Sequence, residues 1–143
     1  MKTFTGRRFC LLLLLLLGAG FSATLNAQTF EQARDYAFNG QRAQARAVCR
    51  AILARDFDSD VATLMGRTYA WDGKYDSARV VLKQVLDRNA NNSEALSAMA
   101  DVAYWSDNYP EAIGYCDRIL EKNPGNETVQ LQKARILKSA DNN

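Results

Sequence analysis

Histidine is absent from this chain of 143 residues, which also holds only two prolines and three cysteines. Without an imidazole there is no histidine base for a nucleophilic triad, no histidine-ligated metal and no switch of the kind histidine provides near neutral pH. Strand-like alternation of apolar and polar residues is missing as well. A strong charge of either sign is the next absence. The formal balance is +2, but three of the cations, Lys2, Arg7 and Arg8, fall in an amino-terminal segment that reads as a leader. Setting those three aside leaves 15 basic against 16 acidic residues, a balance of −1 that offers no footprint for nucleic acid or an anionic membrane surface. No glycine-rich phosphate loop is present, and Pro124-Gly125 reads as a turn. Asp56, Asp58 and Asp60 alternate like ion ligands but lack the glycine and terminal glutamate of a calcium loop, so they read as turn residues and helix caps. No nucleophile is paired with a base, and neither a catalytic residue, a metal site nor a cofactor is expected. What remains, at 48% hydrophobic and 24% charged residues, fits one globular unit rather than several domains or a disordered chain.

The amino terminus carries the one long apolar run. Lys2, Arg7 and Arg8 precede Phe9 to Leu17, which includes seven consecutive leucines, and Leu25-Asn26-Ala27 offers a cleavage site before Gln28. This is the layout of a secretory signal peptide over residues 1–27, and it points to export. The alternative is an uncleaved anchor, because Phe9 to Ala27 is an uncharged stretch of 19 residues, barely enough to cross a bilayer. Cleavage would remove Cys10 and leave Cys49 and Cys116 in an exported compartment.

Residues 28–143 repeat. Gly40-Gln41-Arg42-Ala43-Gln44-Ala45, Gly73-Lys74-Tyr75-Asp76-Ser77-Ala78 and Asp107-Asn108-Tyr109-Pro110-Glu111-Ala112 align at offsets of 33 and 34 residues. Leu53, Leu86 and Leu120 recur in that register, as do Ile52, Val85 and Ile119, and Ala33, Gly66, Ala100 and Ala134. Between the turns the apolar residues fall at three and four, as in Val81, Leu82, Val85 and Leu86, so each half-repeat is an amphipathic helix. Thr29 with Gln32 forms a capping box, Ser59 and Ser93 are expected to cap the next two first helices, and Pro110 suits an opening turn. The expected helices are 29–39, 42–55, 60–71, 75–88, 94–105, 109–122 and 127–139, grouped as repeats 28–58, 59–92 and 93–126 with a half repeat at 127–143.

The pattern Gly66, Tyr69, Gly73, Tyr75, Ala78, with Ala112 and Pro124 one repeat later, resembles the tetratricopeptide repeat (TPR). The first repeat departs from it, with Arg42 where an aromatic is usual and Phe57 in place of the closing proline. The resemblance implies an all-α fold of about three and a half helix-turn-helix repeats stacked as a short right-handed superhelix, and a peptide or protein partner on the concave face. A narrower resemblance lies in the segments Gly66 to Asp76 and Asp101 to Tyr109, which look like the helical portion preceding the barrel in YaiO-type outer-membrane proteins. It implies the cell envelope, at the periplasm or the periplasmic face of the outer membrane, and would imply a carboxy-terminal barrel. No alternating strands follow Asn123.

Candidate binding residues repeat with the helices. Phe38, Trp71 and Trp105 occupy one register position, with Tyr104 beside the last, and Arg34, Arg67, Asp101 and Arg135 sit one turn earlier. In the family resembled, this end of the first helix faces the concave groove. An arginine beside a tryptophan could clamp a carboxylate or stack on a ring, whereas the blander alternative packs the rings between neighbouring repeats. Cys49 and Cys116 lie in equivalent second helices two repeats apart, too distant for a disulfide, and read as small buried hydrophobes.

Two functions follow as expectations. The first is a non-catalytic protein-interaction scaffold of the cell envelope. The second is the periplasmic part of a barrel protein divided from its barrel, with the barrel as own domain or separate chain. Val129, Leu131, Ala134, Ile136 and Leu137 make the last helix apolar on more than one side, so fraying or self-association there is expected.

Overall fold

The computed structural model describes residues 29–142, and the segment read as an export signal lies outside them. Seven helices account for the regular structure of the described residues: α1 Phe30–Phe38, α2 Arg42–Leu53, α3 Ser59–Trp71, α4 Tyr75–Arg88, α5 Ser93–Trp105, α6 Tyr109–Lys122 and α7 Glu127–Ala140. None is long and apolar enough to cross a membrane. The boundaries lie close to those expected, and the differences are instructive. Thr29 caps α1 as anticipated, its Oγ1 accepting from the Gln32 amide at 3.2 Å. Ser59 and Ser93 are not caps but first helical residues. Their predecessors cap instead: Asp58 accepts from the amides of Asp60 and Val61, at 2.8 and 3.0 Å, and Asn92 from that of Ala95 at 2.9 Å. A carboxylate or amide oxygen reaches the free amides of the first turn and complements the helix dipole, so it wins over an adjacent hydroxyl. Asn108 and Asn126 cap α6 and α7 in the same way.

Each hairpin turns through one recurrent device. Gly40, Gly73 and Asp107 occupy the left-handed region, at φ of 79°, 70° and 58°. The following amide reaches back to close the helix: Gln41 to Tyr36, Lys74 to Tyr69 and Asn108 to Ala103, at 2.8, 2.9 and 2.8 Å. Satisfying the last carbonyls this way requires a left-handed residue, which glycine supplies freely and aspartate tolerates.

α1 pairs with α2, α3 with α4 and α5 with α6, while each second helix packs on the next first helix, ending with α6 on α7. First helices also meet one another, α1 on α3 and α3 on α5, and so form a continuous inner layer. One apolar cluster runs through the first two repeats into α5, and a second joins α5, α6 and α7 around Leu96, Cys116, Ile119 and Ile136. Leu82, Leu96 and Ile136 are among the largest side chains wholly removed from water, each worth roughly 1.5 to 3 kcal/mol.

Candidate functional site

The inner layer carries the candidate residues, and the structure divides them between adjoining clefts. A polar groove of about 440 Å³ lies between α3, α5 and α7 and is lined by Arg67, Glu94, Asp101, Gln132 and Arg135 among others. Beside it an apolar recess of about 300 Å³ lies between α1 and α3, where Phe30, Phe38 and Leu64 meet Arg34 and Arg67. The third cleft, shallow and on the turn side, holds Trp71 and Trp105 with Arg42 and Tyr75.

Arg67 and Asp101 come together. Arg67 donates to the Asp101 carboxylate at 3.3 Å and to the Glu94 carboxylate at 3.3 Å, and Gln132 donates to the other Asp101 oxygen at 2.7 Å. Gln132 also donates to the Ser97 carbonyl, and Ser97 donates back to the Gln132 side-chain oxygen, so a polar ladder ties α3, α5 and α7 together under the groove. Burial is the largest influence on Asp101 and pushes its carboxyl above the ordinary range, with the Gln132 hydrogen bond and the Arg67 and Arg135 charges offsetting only part of it. Arg34 is held by Glu31 at 3.2 Å and lies 5.9 Å from the Phe30 ring centre. Arg135 is exposed at the groove edge. Arg67 is engaged by carboxylates of its own chain, and cations over rings among the described residues include Arg34 on Phe30, Arg46 on Tyr69 and Arg88 on Phe57.

The aromatic positions behave differently from one another. Phe38 and Trp71 form a tilted pair with centres 5.7 Å apart, yet Phe38 is 70% exposed. Trp71 is half-buried against the first apolar cluster. Trp105 is 38% exposed along the third cleft. Tyr104 turns away from it, hydrogen-bonding Ser139 at 3.0 Å and meeting the Tyr109 ring at 6.0 Å. Packing between repeats thus accounts for Trp71 and Tyr104, while Phe38 and Trp105 stay exposed.

Sequence reasoning passed over a pair of inter-repeat latches. Arg46 is 7% exposed and donates to the Thr68 carbonyl at 2.9 Å, bridges Asp72 at 2.7 Å and covers the Tyr69 ring at 4.8 Å. Burial alone would raise the Asp72 carboxyl, but the hydrogen bonds from Arg46 and Arg42, with their charges, outweigh it and hold the carboxyl below its usual range. One repeat on, Arg79 bridges Glu111 at 3.0 Å and donates to Ser106 at 3.0 Å, while Tyr115 donates to the same carboxylate. Arg46 and Arg79 occupy one register position, as do Asp72 and Ser106, and that recurrence was the signal available. Cys49 and Cys116 are free and buried, and burial pushes both thiols up to about 11.

Stacked hairpins with a continuous inner layer of first helices define a helical-repeat protein. The repeat is of the tetratricopeptide type: residues 72–142 match the family described as tetratricopeptide repeat. The fold is similar to that of TTC0263, a thermophilic TPR protein of Thermus thermophilus, at 26% identity over 69% of this chain and 51% of that one, with a TM-score of 0.62. It is also similar to MamA MSR-1, at 20% identity over 78% and 64% with a TM-score of 0.61, and to the TPR domain of P58(IPK), at 18% over 94% and 38% with a TM-score of 0.67. The chain spans less than two thirds of the length of each of these proteins. No curated protein matches the sequence.

Proposed function

We propose that this chain is a non-catalytic scaffold that holds a peptide or a partner protein along the inner face of its first helices. The observation that carries the reading is the pair of exposed rings, Phe38 and Trp105, each lining a cleft beside the polar groove. Aromatic anchors next to preorganised polar groups suit protein recognition, because they bury large area with little loss of side-chain freedom. The partner's backbone and polar side chains would meet Arg135, Glu94 and the Arg67–Asp101 pair, and its apolar side chains the recess between Phe30 and Leu64. Crosslinking capture with the wild type and with a Phe38→Ala/Trp105→Ala variant tests this. The variant should lose capture while keeping its helical spectrum, and unchanged capture would remove the rings from the site.

The compartment we propose is the bacterial cell envelope, on the periplasmic side. Support comes from the basic and leucine-rich amino terminus and from the resemblance of Gly66 to Asp76 and Asp101 to Tyr109 to barrel-associated helical regions. Osmotic-shock fractionation of cells expressing the full sequence should release the protein or leave it with the outer membrane. Retention in the cytoplasm would contradict export. A reading frame that continues into a barrel would make this domain that barrel's periplasmic portion.

A further inference from the structure

The turn-side cleft, about 470 Å³ in volume, crosses the middle of the array and is walled by Arg42 of α2, Trp71 of α3, Gly73 of the turn, Tyr75 of α4 and Trp105 of α5. Phe38 and Trp71 meet one another, but among the described residues Trp71 and Trp105 make no ring contact. A Cβ at Gly73 would meet nothing within 4 Å, which leaves room above the turn. The polar atoms of the cleft are of one kind. Arg42 is fixed by its Nη1 bond to Asp72 at 3.0 Å, and its Nε–H is buried with no acceptor. Neither indole N–H has an acceptor among the described residues. Guanidinium and indole nitrogens donate and cannot accept, and of the lining side chains only the Tyr75 hydroxyl can do both. The nearest carboxylate, Asp72, is already taken by Arg42 and Arg46. A buried donor left unpaired is costly, so the occupant that suits this cleft supplies acceptors.

We propose that this cleft takes a proline-rich segment of the partner in the polyproline II conformation. The inference rests on the scaffold reading and names the chemistry that the partner brings to Trp105. Proline has no N–H, and a polyproline II chain makes no internal hydrogen bonds, so its carbonyls stand free as acceptors. Such a segment presents apolar rings and acceptors, the complement of a wall of aromatic rings and donors. An α-helical partner uses its carbonyls internally, and an extended strand brings an N–H for each carbonyl. The spacing agrees as well. Three residues of polyproline II advance about 9 Å, and packed helices such as α3 and α5 stand about 8 to 10 Å apart. Prolines three residues apart therefore reach the rings of successive repeats at Trp71 and Trp105. The neighbouring clefts differ in chemistry, because the groove holds Glu94 and Asp101 and the recess Asp60 and Glu94, which are acceptors of their own.

Trp71 and Trp105 are the only tryptophans of the chain, so two indole N–H signals in a nitrogen–proton correlation spectrum report on this cleft. Protein expressed from the full sequence is titrated with a capped octaproline peptide. Both signals should move and saturate, whereas a capped glycine–serine peptide of equal length should leave them in place. Trp105→Ala, at an exposed position, should weaken octaproline binding by about tenfold or more, read on the Trp71 signal. Arg42→Lys keeps the charge but removes the buried Nε–H, and should weaken it by about three- to tenfold. Both variants should keep the helical spectrum of wild type. Indole signals that stay still to the solubility limit of octaproline overturn the proposal. So does an equal response to the glycine–serine peptide, or binding undiminished in Trp105→Ala. If octaproline leaves the indoles unmoved while crosslinking still captures a protein that the Phe38→Ala/Trp105→Ala variant loses, the proline assignment fails and the scaffold reading stands.

Discussion

At Gly66 an added methyl group would stand 2.7 Å from the side chain of Leu82, so Gly66→Ala should destabilise the fold by about 1 to 3 kcal/mol. The register supplies the remedy. Gly66 is equivalent to Ala33 and Ala100, and Leu82 is equivalent to Cys49 and Cys116, so the hairpins solve one packing problem in two ways: glycine with leucine, or alanine with cysteine. Gly66→Ala combined with Leu82→Cys should recover part of the loss, as read by urea unfolding. Additive losses would show that the two positions do not share a packing constraint. The same geometry buries Cys49 and Cys116. With both thiols pushed up to about 11 by burial, neither should react with a thiol reagent at pH 8 in a Cys10→Ser background until denaturant opens the fold. Rapid labelling of the native protein would contradict their burial.

At the scale of elements, the latches set how firmly each repeat holds the next. Arg46→Ala leaves Asp72 and the Thr68 carbonyl without their buried donor and should cost about 1 to 3 kcal/mol. Arg79 is more exposed, and its loss should cost roughly 1 kcal/mol. Because the Asp72 carboxyl is held below its usual value of 3.8, its contribution is fully present above that pH and disappears as acid carries the solution down through the lowered value. Stability of wild type should therefore fall more steeply on acidification than that of Arg46→Ala. Parallel curves would remove Asp72 from the account. The third repeat places Ile113 where the others have Arg46 and Arg79, so α7 lacks that arginine and is held instead by the Gln132 ladder, the Tyr104–Ser139 hydrogen bond and the Lys133–Asp117 ion pair. Amide exchange in a dilute sample should be faster in residues 127–139 than in 75–105, and uniform protection would contradict this.

The helices and hairpins were legible in the sequence because their punctuation is local: a left-handed residue at 40, 73 and 107, and a polar cap before each first helix except where Ser59 and Ser93 distracted from Asp58 and Asn92. The candidate groove was only partly legible. Which ring stays in solvent depends on the neighbouring repeat: Trp71 finds Phe38 and the apolar cluster, while Trp105 finds a shallow cleft. Arg67, a candidate to clamp a partner's carboxylate, meets Asp101, 34 residues away in its own chain. Ionic partners a full repeat apart follow from superhelical packing and not from spacing along one helix.

The molecule as a whole is a row of first helices bearing a polar ladder and two exposed rings, backed by second helices that supply the core and the latches. Stacked repeats of this kind present an extended surface. On the inner side, we propose, this surface holds another protein. The most direct measurement places a photoreactive amino acid at Phe38 or Trp105 on the inner side, and at the exposed Val80 of the second-helix layer as reference, in the full chain expressed in cells. Irradiation should give a discrete protein adduct from positions 38 and 105 and none from 80. Equal adducts from all three positions, or none from the inner pair, would contradict the claim.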